Sequence, residues 1–299
     1  MDELLVKILP VIFLFILGYF LKKIGLLTKK HAEIFLKVVL YVSLPPLLLL
    51  SLLSIDLSFE LAFLPLIAAI IVLAALLVSY PVGRSMKLPR KTFGVFVIGT
   101  MVMNFGFVLP FIIAGYGDEG IAASVIFNFG NIFLHFTLVY FLACKYGTNR
   151  QDTKEMLKKF VLLTPLWALG IGILFNLCRI GLPKAVEGTL ELVGSLTVPL
   201  TMIALGVFLG SRIMRPMALA LGLLIRMGFG LFLGVMLSWL FGLEGILRAV
   251  VIISAAAPVA YNTVTFASIE HLDQDFAASM VSIAILLGIV LTPLLMYLL

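Results

Sequence analysis

The sequence predicts an all-α polytopic membrane protein with ten transmembrane helices, arranged as two inverted five-helix repeats. Three observations predict it. Of 299 residues, 63% are hydrophobic and 12% charged, with a mean hydropathy of +1.22; soluble domains run at about 45–50% apolar and about 25% charged. The apolar residues fall into ten runs long enough to cross a bilayer, at roughly 25–30 residues per helix with its turn. The two halves of the chain also resemble each other at an offset of about 155 residues. So little polar surface excludes a soluble domain, a disordered chain and a secreted disulfide scaffold.

The runs lie near 4–21, 32–54, 61–83, 92–115 and 120–146, then 157–178, 186–210, 214–241, 245–269 and 275–298. None alternates with period two, and an open sheet edge cannot face lipid, so strands are not viable. The first run follows Met1-Asp2-Glu3 with no basic n-region and no small-residue cleavage site, and reads as a retained helix. Pro or Gly interrupts several others, as at Pro45-Pro46, Pro110, Pro199 and Pro258. In lipid such breaks survive only where protein or a polar cavity satisfies the freed backbone groups.

The connecting loops set the orientation. One side receives Lys22, Lys23, Lys29, Lys30, Lys37, Arg84, Lys87, Arg90 and Lys91, and also Lys145, Arg150, Lys154, Lys158, Lys159, Arg212 and Arg215. The other holds Lys7, Arg179, Lys184 and Arg248 beside Asp56, Glu60, Asp118, Glu119 and Glu244. The positive-inside rule places the richer side in the cytoplasm, so both termini face out of the cell's inner (plasma) membrane. Glu270, His271, Asp273 and Asp275 form an acidic cytoplasmic loop, but carboxylates weigh little in that rule. A net charge of +6 spread over such loops indicates topology and the lipid bilayer as partner, with no nucleic-acid face. Cys144 and Cys178 sit in no motif and read as free thiols.

The polar stretch from Gly147 to Glu155 divides the chain into a first repeat, 1–147, and a second, 148–299. Pro10 matches Pro165, Gly25-Leu26 matches Gly181-Leu182, and Pro45 or Pro46 falls near Pro199. The best match sets Asp118-Glu-Gly-Ile-Ala-Ala-Ser124 against Asp273-Gln-Asp-Phe-Ala-Ala-Ser279. Five helices per half is an odd number, so the second half inserts upside down, a hallmark of secondary transporters.

The fourth helix carries Asn104, Gly106 and Pro110; the ninth carries Pro258, Tyr261, Asn262 and Thr263 at the corresponding place. Each places an amide and a helix breaker near mid-membrane. A broken helix presents unpaired N–H groups, with a partial positive charge, at the start of its second half. Two such ends, with Asn donors added, form an anion site that needs no basic side chain. The bland alternative is a pair of kinked helices whose amides satisfy each other.

Three further groups stand out. Asn128, Asn131 and His135 share one face of the fifth helix. They either hold the bundle by interhelical hydrogen bonds or line the substrate cavity, with His135 as a candidate proton acceptor. Arg226 alone of the 21 basic residues lies inside a span, at an insertion cost of about 2.5–3.5 kcal/mol. Backbone carbonyls at a neighbouring helix end, snorkelling, or attraction of an anionic substrate would each offset that cost. No Asp or Glu sits near mid-membrane in helices four, five, nine or ten, so sodium coupling would lack its best ligand type. Gly206-x-x-x-Gly210 and Gly230-x-x-x-Gly234 permit close helix packing. With no Gly-x-Ser-x-Gly and three histidines, the inventory offers no enzyme site, metal set or cofactor motif.

Pro258-Val-Ala-Tyr-Asn262 with Ala267-Ser268, then Asp275-Phe-Ala-Ala-Ser-Met-Val, resembles the ninth and tenth helices of the auxin efflux carrier family. Asn104-Phe-Gly106 leading to Pro110 resembles that family's fourth-helix Asn-x-Gly…Pro, Leu44-Pro45 its second helix and Leu291-Thr292-Pro293 its last. The fourth-helix segment is a residue shorter than the family pattern. The resemblance implies the fold shared with bile-acid symporters and sodium/proton antiporters. In it, helices 1, 2, 6 and 7 form a scaffold, often dimeric, and helices 3–5 and 8–10 a moving domain whose broken helices 4 and 9 cross at mid-membrane. The implied activity is elevator-type efflux of a small organic anion, a carboxylate or an auxin-like weak acid. The alternative is sodium- or proton-coupled symport or antiport on the same fold.

Overall fold

The computed structural model describes residues 2–54, 59–147, 164–210 and 213–299. Asp56, Arg150, Lys154, Lys158, Lys159, Arg212, the linker 148–155 and the start of the sixth expected helix at 157–163 lie outside them. The described residues are helical, with one isolated antiparallel bridge, between Met103 and Val259.

Helix α1 spans Asp2–Lys23, α2 Lys29–Leu53, α3 Phe63–Ser85 and α4 Arg90–Met101. Then come α5, Phe105–Tyr146; α6, Thr164–Leu177; α7, Lys184–Phe208; and α8, Pro216–Leu240. The chain closes with α9, Gly245–Ala255; α10, Asn262–Ile269; and α11, Gln274–Leu298. Helices α2, α3, α5, α7, α8 and α11 are each long and apolar enough to cross a membrane. Their outward faces carry Leu77, Trp239 and Val290, at 75%, 79% and 69% exposure. Apolar surface on that scale has lipid as its natural solvent, and the chain is a polytopic membrane protein.

Helix α5 folds back on itself. At about 1.5 Å per residue, a straight helix would hold residues 103 and 131 about 42 Å apart. Instead the Asn131 amide donates to the Met103 carbonyl at 3.2 Å. The turn falls midway, at Gly117, whose φ of 56° and ψ of −148° suit glycine and few other residues. Residues 105–116 and 118–146 are therefore two antiparallel arms, which matches the expected boundary between the fourth and fifth helices.

Proline breaks the chain at fewer places than the sequence implied. Helix α2 runs on through Pro45-Pro46 because a π-helical turn, Val39–Ser43, precedes them and the prolines occupy the first turn of the resumed α-helix. The donors that the prolines lack are made up in part from another helix, since the Thr164 hydroxyl donates to the Leu40 carbonyl at 3.0 Å. Pro199 likewise sits in the first turn after a break at Ser195-Leu196 in α7.

Backbones approach closely where glycine allows it. A Cβ at Gly18 would lie 2.1 Å from the Ile203 carbonyl oxygen, and one at Gly206 would lie 2.1 Å from that of Phe15, so α1 and α7 touch along their backbones. Helix α2 packs on α6 and α7, α3 on α4 and α5, and α9 on α8 and α5. These packings carry two interrupted elements, α4 into α5 and α9 into α10, to a common crossing point.

Candidate functional site

The first interruption falls at Val102–Asn104, ahead of Gly106 and Pro110. Val102 is extended, at φ −93° and ψ 125°, and Asn104 leaves helical geometry at φ −82° and ψ 80°. Asparagine suits this place because its short amide competes with the backbone for hydrogen bonds. Asn104 Oδ1 accepts from the Phe107 N–H at 3.1 Å and so caps α5. Its Nδ2 donates to the Val259 carbonyl at 3.2 Å, and its backbone N–H to the Pro258 carbonyl at 3.0 Å. The second interruption spans 256–261 around Pro258, which lacks an N–H to continue the helix. The two extended segments run antiparallel, each supplying partners for the other.

Past each break a helix begins, and both beginnings open on one cavity of about 210 Å³. Asn104, Phe105 and Gly106 line it from the start of α5, and Ala260, Tyr261 and Asn262 from the start of α10. Asn128, Asn131 and His135 line it from the second arm of α5. Among the described residues its lining includes no Asp, Glu, Lys or Arg. Electrostatically, the cavity has two helix N-termini and several amides to offer an anion.

The fifth-helix amides face the cavity and also hold neighbouring backbone. Asn131 Nδ2 donates to Asn128 Oδ1 at 2.8 Å as well as to Met103, and the Met103 N–H returns to Asn131 Oδ1 at 3.4 Å. These amides thus brace the first break while facing the cavity. His135 begins a π-helical turn, His135–Val139, and its Nε2 lies 3.1 Å from Asn262 Nδ2. The Phe136 and Phe266 rings flank it at 4.9 Å. Tyr261 packs on Phe208 with ring centroids 3.9 Å apart and planes tilted by 33°, and its hydroxyl donates to Glu33 Oε1 at 3.3 Å.

Four expected site residues lie elsewhere. Pro110 is buried inside the first arm of α5, where it removes the helical donor to the Gly106 carbonyl but does not reach the cavity. Pro258 packs towards Gly288 and contributes its carbonyl to Asn104. Thr263 is buried with its methyl towards Gly99. Arg226 lies at 0% exposure in a third π-helical turn, Leu224–Phe229, outside the cavity lining. It donates to the carbonyls of Ala257 at 3.3 Å and of Thr100 and Met101 at 3.4 Å each, and also to that of Ala255. Backbone carbonyls at neighbouring helix ends, one of the options open from sequence, are what surround it.

The opposite wall went unread in the sequence. Leu36, Val39, Leu40 and Leu44 of α2, with Thr201 and Leu205 of α7, complete the cavity. An aliphatic side chain facing a cavity looks in sequence like one facing lipid. Thr201, a buried hydroxyl in an apolar run, was the one available signal.

A protein family described as membrane transport protein matches residues 3–296 of the chain. A relative from Methanothermobacter thermautotrophicus, described as an uncharacterized transporter, is 30% identical over 294 residues, which cover 96% of this chain and 95% of the relative. An uncharacterized transporter of Methanocaldococcus jannaschii is 26% identical over 298 residues, 92% of each chain. With the match extending over nearly the whole length, the chain belongs to the membrane transport protein family, that of the auxin efflux carriers.

Proposed function

We propose that the protein is a secondary transporter that moves a small organic anion, a carboxylate or auxin-like weak acid, by elevator-type alternating access. The observation that carries this reading is the crossing itself: two helix N-termini and the amides of Asn104 and Asn262 meet on one cavity, with no ionised side chain among its described lining residues. Such a site attracts a single negative charge and still releases it, as a carrier must. The direction we assign is efflux.

The same crossing supports ten helices in two inverted repeats, 1–147 and 148–299. A two-fold axis in the membrane plane pairs equivalent residues antiparallel where it passes through the chain. Met103 bridges Val259, and Asn104 donates to the same residue 155 positions on, the offset of the sequence repeat. In this reading helices 1, 2, 6 and 7 form a scaffold, through which two copies pair. Helices 3–5 and 8–10 move against it and carry the crossing past the wall of α2 and α7. The protein would sit in the plasma membrane with both termini outside.

Equilibrium binding of carboxylates, amino acids and indole acids to purified protein, followed by proteoliposome flux of the hits, tests the proposal. Binding of a carboxylate that is lost in the Asn104→Ala, Asn262→Ala double variant is expected; binding unaltered in that variant would sink the assigned site. Flux with and without a sodium or pH gradient separates this uniporter-like carrier from a cation-coupled one.

A further inference from the structure

Helices α4 and α9 both end at the crossing, and their C-terminal ends carry partial negative charge. Left bare, those two ends would lie beside the two positive ends that open on the cavity and cancel much of their field. The acceptors of Arg226 are the carbonyls of Thr100 and Met101, the last two residues of α4, with those of Ala255, the last of α9, and Ala257 just beyond it. One guanidinium therefore bridges both negative ends. The approach is built in: a Cβ on Gly230 would lie 2.3 Å from the Ala255 carbonyl oxygen and 2.7 Å from an Arg226 terminal nitrogen. A planar fork with five donors suits this task, where the point charge of a lysine does not.

We propose that Arg226 is the positioning residue of the crossing. From outside the cavity it fixes the two half-helix C-termini together and neutralises them, so that the positive ends facing the cavity select an anion. This rests on the anion-carrier reading above.

The test measures two things on R226Q and R226K in nanodiscs. The first is equilibrium binding of benzoate, succinate and indole-3-acetate, each beside its amide. The second is amide hydrogen exchange at 100–106 and 255–262. In R226Q the preference for acid over amide is expected to fall about tenfold or more, and exchange to rise in both segments together. R226K, which restores the charge without the fork, is expected to recover the preference but leave exchange intermediate. Unchanged preference and exchange in R226Q would overturn the proposal. If R226Q does not fold, R226K decides, and wild-type exchange in it overturns the bridging role. Should the parent protein bind none of the three acids, the carrier reading fails by itself, and the exchange arm still judges Arg226.

Discussion

Asn262 Nδ2 lies 3.1 Å from Nε2 of His135, which ties the first residue of α10 to the second arm of α5 across 127 positions of sequence. With Asn262 donating, the ring nitrogen must be an unprotonated acceptor. His135→Gln keeps an acceptor within reach, and His135→Phe keeps the ring packing against Phe136 and Phe266 but loses the acceptor. Asn262 is itself exposed, so losing its acceptor costs the net worth of one hydrogen bond, about 0.5–1.5 kcal/mol. Substrate binding is expected to weaken in the Phe variant by roughly two- to tenfold and to survive largely in the Gln variant. Loss in the Gln variant with survival in the Phe variant would assign the role to ring packing instead.

Asn104 acts both as cap and as cross-link, and two substitutions separate these roles. Asn104→Ala removes both, for an expected loss of about 1–3 kcal/mol in unfolding free energy. Asn104→Asp retains the capping oxygen but replaces the donor to Val259 by an acceptor and adds negative charge at a positive helix end. It is expected to bind carboxylates far more weakly than its thermal stability would suggest. Melting temperature and binding, measured on the same preparations, check the split.

Close packing of α1 on α7 gives a contrast within one residue type. Gly18→Ala and Gly206→Ala each press a methyl into a backbone carbonyl, and overpacking of this kind costs about 1–3 kcal/mol. Gly170, in α6, has open space where its Cβ would lie. Gly170→Ala is expected to be neutral or to stabilise by up to about 1 kcal/mol, from helix propensity alone. Thermal unfolding in detergent distinguishes the two classes.

Orientation has a direct chemical probe. Cys178 is an exposed free thiol next to Arg179, on the side assigned to the cell exterior, whereas Cys144 is half-buried beside Lys145 on the side assigned to the cytoplasm. A membrane-impermeant maleimide is expected to label Cys178, and not Cys144, in intact cells. Labelling of Cys178 only after the cells are opened would invert the topology.

Composition and punctuation made much of this protein legible. The fold-back at Gly117 was visible as a gap between two apolar runs, and the second break was visible in Pro258. The first break was harder to place, since Val102 and Met103 suit a helix as well as a strand. Its position depends on Asn104 bonding to carbonyls about 155 residues away, a contact no local pattern encodes. The sequence flagged Arg226 as costly to bury but could not say what it meets, because its acceptors are backbone atoms that every residue carries. Three π-helical turns, at Val39–Ser43, His135–Val139 and Leu224–Phe229, also escaped notice. Each adds a residue to a turn and shifts the side chains beyond it, which apolar periodicity is too coarse to register.

The bond from Asn104 to Val259 also dictates an order of construction. A ribosome delivers residue 104 long before residues 226, 258 and 259, which supply the capping fork and the cross-chain carbonyls. Until they arrive, the backbone at 102–104 has the partners its own half supplies, chiefly the Asn131 amide on Met103. The crossing is therefore complete only once the second half has arrived, and its cross-chain bonds are among the last contacts the growing chain can make.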